Sequence, residues 1–238
     1  SQQRPRAADT AFTYLLPPGD PLLFFQHPLI NTGAQELPED PPTRYKKDPM
    51  ANNNRLLISV DVEEFDIPEE FGGQVSPTEK LAVSHTGVLQ VLELFALYKV
   101  RATFFITAYW AQHFPELVQQ IAAEHEIASH AYYHHTFQTA DLEASRLALE
   151  KISEQPVTGF RMPRLQPVDL DALRRAGYRY DASLNPTWLP GRYNNWHRPR
   201  TPFKENGIWV VPSAVSPICR YPVFWLSVKN APLWMSRH

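Results

Sequence analysis

Two histidines four residues apart, His130 and His134 in the stretch I-A-S-H-A-Y-Y-H-H at residues 127–135, have the spacing of a metal-ligand pair. On one turn of helix residues i and i+4 share a face, so the sequence predicts a helical turn from which both imidazoles reach one ion. Their other ring nitrogens would then be fixed by hydrogen-bond acceptors. The same spacing also fits two ordinary histidines on a solvated turn. Two carboxylates, Asp61 and Glu63, end a β-type run in another part of the chain. Side chains alternate along a strand, so Ile58, Val60 and Val62 face one way, and Leu57, Ser59, Asp61 and Glu63 the other. Neighbouring carboxylates each resist ionising beside the other unless a cation lies between them. Acidic residues at a strand end also fit a chain entering solvent, and Glu64 and Asp66 read as such a solvated pair. The convergence of histidines and carboxylates from separate segments favours a bound ion for the first pair.

These groups need a frame, and from Arg55 the sequence supplies one. Residues 56–63, 102–107, 126–129, 157–161, 178–184 and 208–211 read as strands, with helical patterns at 87–98, 115–123, 141–153 and 169–176, the last closed by Gly177. Repeated βα units of this length predict an α/β fold with a mostly parallel sheet, either a barrel or doubly wound. In such folds the carboxyl ends of the strands carry the site, which is where Asp61 and Glu63 fall. Residues 1–54 differ in texture: P-P-G-D-P, P-E-D-P-P and N-N-N break any periodicity. They read as a proline-rich extension wrapping the domain at 55–238, although the apolar cluster at 22–25 calls for burial.

Composition narrows the function classes. The 238 residues are 43% hydrophobic and 20% charged, enough to bury a full core, with a formal net charge of -2 spread along the chain. No basic track for nucleic acid stands out. Cys219 is the sole cysteine, so an ion would be held by nitrogen and oxygen ligands. No run approaches the ~20 apolar residues of a membrane span, and the first residues lack the apolar core of a signal peptide, which favours the cytoplasm. The sequence starts at Ser1, which is compatible with prior removal of a leader.

In order along the chain, S-V-D-V-E at 59–63, A-T-F-F-I-T at 102–107, H-E-I-A-S-H-A-Y-Y-H at 125–134, G-F-R-M-P at 159–163 and G-Y-R-Y-D-A-S at 177–183 resemble the polysaccharide deacetylases with a NodB-like domain, in a D-x-E variant. The resemblance covers about residues 55–215. It implies a distorted (β/α) barrel, one divalent metal (Zn²⁺, with Co²⁺ or Ni²⁺ as alternatives), and hydrolysis of an acyl group from an amino sugar. Carried over position by position, Asp61 matches the catalytic base, Glu63, His130 and His134 the metal triad, and Arg161 the arginine that orients the base. Pro163 in the fourth motif, Asp181 at a strand end and Trp188 in an aromatic, amide-rich loop are the candidate substrate contacts. Aromatics in such a loop also serve simply to pin it to the domain.

The departures from the family pattern are specific. Glu124, Ala131 and Arg164 stand where relatives usually carry Gly, so backbone geometry is expected to differ there. Arg164 reads either as a cation for an acidic sugar or as a solvated side chain. The late Leu-x-His motif, whose histidine serves the family as general acid, has no clear counterpart after Val211, so the C-terminal end reads as incomplete. His197 is a stand-in only if its polar loop reaches the site. His85, His113, His125 and His135 read as surface or structural, and 220–228 as core or interface packing. Two further readings follow from the resemblance: an allantoinase-like hydrolase of a non-sugar C–N bond, and a metal-retaining protein that binds carbohydrate without turnover.

Overall fold

Short strands alternating with helices begin at Ser59. The structure, a computed structural model, describes residues 56–70 and 72–224. The proline-rich extension, its apolar cluster and residues 225–238 lie outside the described residues.

Strand β1 (Ser59–Val62) pairs in parallel with β2 (Thr103–Ile106), and β2 with β3 (Glu126–Ser129), each over four residues. The sheet continues through β4 (Gly159–Phe160) and β5 (Tyr180–Asp181), which pair over one or two residues. A separate two-stranded hairpin follows, β6 (Trp188–Leu189) with β7 (Tyr193–Asn194). Strand β8 (Phe203–Glu205) then turns back, and β9 (Ile208–Val210) adds in parallel to β5 with β8 antiparallel at the edge. The predicted mostly parallel α/β sheet is therefore present, with seven strands in the order β1-β2-β3-β4-β5-β9-β8. Among the described residues β1 and β8 are its edges and the barrel does not close.

The helices pack on this sheet. A single turn, α1 (Ile67–Glu70), follows β1. Helix α2 (Pro77–Tyr98) starts ten residues before the predicted 87–98, because Ser76 caps it by accepting from the Glu79 N–H at 3.2 Å and Pro77 sits in the first turn. By length and composition alone α2 is long and apolar enough to cross a membrane. Here Val88, Val91 and Phe95 of that helix are buried in the core, and His85, expected ahead of the helix, lies within it against the Phe114 ring. Helices α3 (Ala108–His113), α4 (Pro115–Glu124), α5 (Asp141–Ser153) and α6 (Leu170–Arg175) follow. Of these, α3, capped by Thr107, is not among the predicted helices. The core they enclose includes Phe104, Ile106, Trp110, Ile127, Leu149, Phe160 and Leu173, all essentially fully buried. Each large apolar side chain contributes about 1.5–3 kcal/mol by leaving water. Gly159 is required by close approach: a Cβ there would meet the Tyr180 ring at 2.0 Å.

Candidate metal centre

The carboxyl ends of β1 and β3 bring the predicted groups together, though not on the predicted local structure. His130 and His134 lie in an irregular loop after β3, not on a helical turn. The reason is that the carbonyls of Ala131 and Tyr132 accept from the Ala108 and Tyr109 N–H groups at 3.1 and 3.0 Å. Those are unsatisfied donors of the first turn of α3, and they claim the acceptors that an i→i+4 ladder would need. Ala131 has φ 67°, a left-handed conformation that glycine adopts more readily. Arg164 is likewise left-handed, with φ 58°, whereas Glu124 is not, so two of the three missing glycines fall where glycine would be at home.

Both imidazoles converge on one carboxylate oxygen. Glu63 Oε2 lies 2.8 Å from His130 Nε2 and 3.0 Å from His134 Nε2. The opposite ring nitrogens are also engaged: His130 Nδ1 is 2.8 Å from the Arg161 carbonyl and His134 Nδ1 is 2.9 Å from Asp66 Oδ2. A carbonyl and a carboxylate only accept, so both rings donate from Nδ1, and in its neutral form each ring carries its lone pair on Nε2. Two lone pairs and a carboxylate facing one point repel unless a proton or a cation lies among them. The three ligand atoms lie within 4.8 Å of one another, so the donor set fits a divalent ion. Burial pulls the His130 pKa down, but the Asp61 and Glu63 carboxylates outweigh it and the net shift is upward.

Asp61 stands beside this cluster with its carboxylate paired to Arg161 Nη1 at 2.7 Å. The side chain is 38% exposed, against 25% for Glu63, and so faces an accessible space. Desolvation acts to raise its pKa, but Arg161 and the two imidazoles outweigh that and hold the carboxyl below the usual range. Arg161 is itself fixed, donating from Nε to the Ala182 carbonyl at 3.2 Å and lying 4.0 Å over the Phe105 ring.

Two residues read from sequence as solvated are in fact buried. Glu64 is 5% and Asp66 3% exposed; Glu64 accepts from the Thr107 hydroxyl at 2.8 Å, and Asp66 holds His134. The segment after β1 folds under the histidine loop and does not run into water, a long-range packing event without a local signature. A D-x-E-E-F-D run with apolar residues on both sides is the one cue that could have suggested burial. Arg164 reaches the same carboxylate, 3.4 Å from Asp66 Oδ2, so it is not simply solvated.

The remaining candidates divide. Pro163 is buried at the start of a single 3-10 turn, and Asp181 is buried with its carboxylate accepting from the Ser183 hydroxyl and N–H, not from Arg161. Burial raises the Asp181 carboxyl to about 6. Trp188 is 59% exposed on the β6–β7 hairpin, with no hydrogen bond or ring contact to the cluster among the described residues. His125 accepts from the Ala102 N–H at 3.3 Å in a structural role, and His113, His135 and His197 are exposed. Of the 220–228 tail, the described residues Tyr221, Val223 and Phe224 are exposed and do not form core.

A family model described as polysaccharide deacetylase matches residues 82–180, a range holding both histidines and Arg161. Over that range, which is less than half of its length, the chain is similar to the polysaccharide deacetylases. Members of this family hydrolyse amide bonds of N-acetyl groups. A chitooligosaccharide deacetylase of Rhizobium leguminosarum bv. trifolii is 28% identical over 117 residues, covering 46% of this chain. The match takes in 53% of that relative, so the chain spans about half its length. A crystal structure from Mycobacterium smegmatis assigned to the polysaccharide deacetylases superposes with TM-score 0.52 and 19% identity, over 76% of this chain and 70% of that one, a likeness of fold. Asp61 and Glu63 precede the matched range, so their place beside the family's histidines rests on the geometry.

Proposed function

We propose that this protein is a metal-dependent deacetylase that removes an acyl group, in the first instance N-acetyl, from an amino-sugar substrate. The observation that carries the reading is the meeting of Glu63, His130 and His134 on one point, with an ionised Asp61 beside them and fixed by Arg161. The match to the polysaccharide deacetylase model over residues 82–180 and the likeness to a chitooligosaccharide deacetylase support the substrate class. Glu63, His130 and His134 would hold the ion, and an all nitrogen and oxygen set suits Zn²⁺, with Co²⁺ or Ni²⁺ as substitutes. Bound there, a divalent ion supplies Lewis acidity to a carbonyl oxygen and lowers the pKa of a water.

The protein's own residues account for the rest. Asp61, kept ionised by Arg161, accepts the proton of the attacking water as the C–O bond forms. Arg161 lies across the ring of Phe105, which limits its motion and so limits the directions in which Asp61 can point. As the C–N bond breaks, the amine takes up a proton and acetate leaves. In this reading the proton that Asp61 took from the water is the one returned to the amine.

Acetate release from N-acetylglucosamine oligomers tests this reading. Turnover should require added Zn²⁺ and fall about 10²–10⁴-fold in D61N, with metal affinity retained. Hydrolysis confined to non-sugar amides would reassign the substrate. Sugar binding without acetate release would make the protein a binding module.

A further inference from the structure

The two histidines are held by different means, and the difference points to Asp66. His130 is the first residue beyond β3, and its Nδ1 donates to the main-chain carbonyl of Arg161, an acceptor that no side-chain substitution removes. His134 lies four residues further along a loop without helical hydrogen bonds, and its Nδ1 meets only a side chain, Asp66 Oδ2 at 2.9 Å. Asp66 is buried, and its Oδ1 has no hydrogen-bond partner among the described residues. Burying a carboxyl group with one oxygen unpartnered is unfavourable, so packing alone does not account for an aspartate here. Arg164, 3.4 Å from Oδ2, brings a compensating charge to the same oxygen.

We propose that Asp66 is a positioning residue for the metal centre: by accepting from His134 Nδ1 it fixes the ring and keeps the Nε2 lone pair turned toward Glu63, with Arg164 steadying the carboxylate. This rests on the reading that Glu63, His130 and His134 hold a divalent ion. An imidazole without that acceptor is free to rotate about its χ2 bond or to move its proton to Nε2, and either change removes one ligand. Carboxylate partners of ligating histidines typically contribute 10–100-fold to metal affinity.

Zn²⁺ titration of the whole protein against a chromophoric chelator tests the proposal in wild type, D66A, D66N and H134A. D66A is expected to bind Zn²⁺ about 10–100-fold more weakly than wild type. D66N should fall between the two, because its amide oxygen still accepts from Nδ1–H, and H134A should be weakest. D66A within about twofold of wild type while H134A is weak would overturn the role of Asp66 and leave the metal site standing. Wild type and H134A binding alike would overturn both readings. Should D66A fail to fold, the imidazole ¹⁵N shifts of His134 in the metal-free wild-type protein decide: a proton held on Nδ1 supports the proposal, and a bare Nδ1 with the proton on Nε2 defeats it.

Discussion

The two sides of the sheet are built differently. Strands β1, β2 and β3 pair over four residues in strict register; α4 and α5 pack on β3 and Phe95 of α2 lies against Phe104, with Phe104 and Ile106 wholly buried. Strands β4 and β5 pair over one or two residues, and the chain beyond them leaves Trp188, Trp196, Ile218 and Val223 exposed. The candidate ligands Glu63 and His130 follow directly from strand ends on the well-packed side. Arg161 comes from the shorter strands and is held by its own contacts to Asp61, Ala182 and Phe105. Two of the three candidate ligands are thus carried at the ends of well-paired strands, His134 is held in its loop by Asp66, and the sparser side carries a group that can be steered by charge.

If that contrast is right, Phe104→Ala should cost about 3–5 kcal/mol in chemical denaturation. Trp188→Ala, on the sparse side, should change stability by no more than about 0.5 kcal/mol. Comparable costs for the two would break the comparison. Next in size is Arg161→Ala, expected to lower kcat about 10²-fold or more through loss of the oriented base. It should also move the acid limb of the pH–rate profile upward, since Arg161, with the two imidazoles, offsets desolvation of Asp61. An unmoved limb would show that another group sets it.

Asp181 gives a stability signature on the sparse side. Its carboxyl is raised from 3.8 to about 6 by burial, so the folded state favours the neutral acid. The sign follows: its contribution is fully present below 3.8 and is lost as pH rises through about 6. Asp181→Asn, whose amide oxygen can still accept from Ser183, should remove a loss of about 2–3 kcal/mol between about pH 4 and pH 7. Denaturation curves of the two proteins at both pH values check this, and parallel slopes would refute it. The smallest expected gain lies on the well-packed side. Gly87 sits inside α2, where an added Cβ would meet nothing within 4 Å. Gly87→Ala should therefore stabilise by about 1 kcal/mol, read as a rise in Tm.

Much of this arrangement was legible from residue order. The bounds of β3 were readable because E-I-A-S is a short apolar run between a helix end and a polar loop, and α5 because its first turn carries acidic residues. The early start of α2 was also present in S-P-T-E at residues 76–79, a capping sequence followed by an apolar run. The loop carrying the histidines was not readable: their four-residue spacing suits a helix, and only the N–H groups of α3, some twenty residues upstream, divert the carbonyls that would have formed it. Asp66 was missed for the same kind of reason.

The sequence by itself determined the cast of side chains and the strands that bear them, because alternation along β1 and the end of β3 are local properties of the chain. Which acidic residue meets which histidine was decided only in the tertiary structure. Burial of Asp66, the turn at Ala131 and the pairing of Arg161 with Asp61 all depend on segments up to a hundred residues apart. Their backbone and side-chain acceptors can be allotted only when those segments compete for the same space and the same few hydrogen bonds.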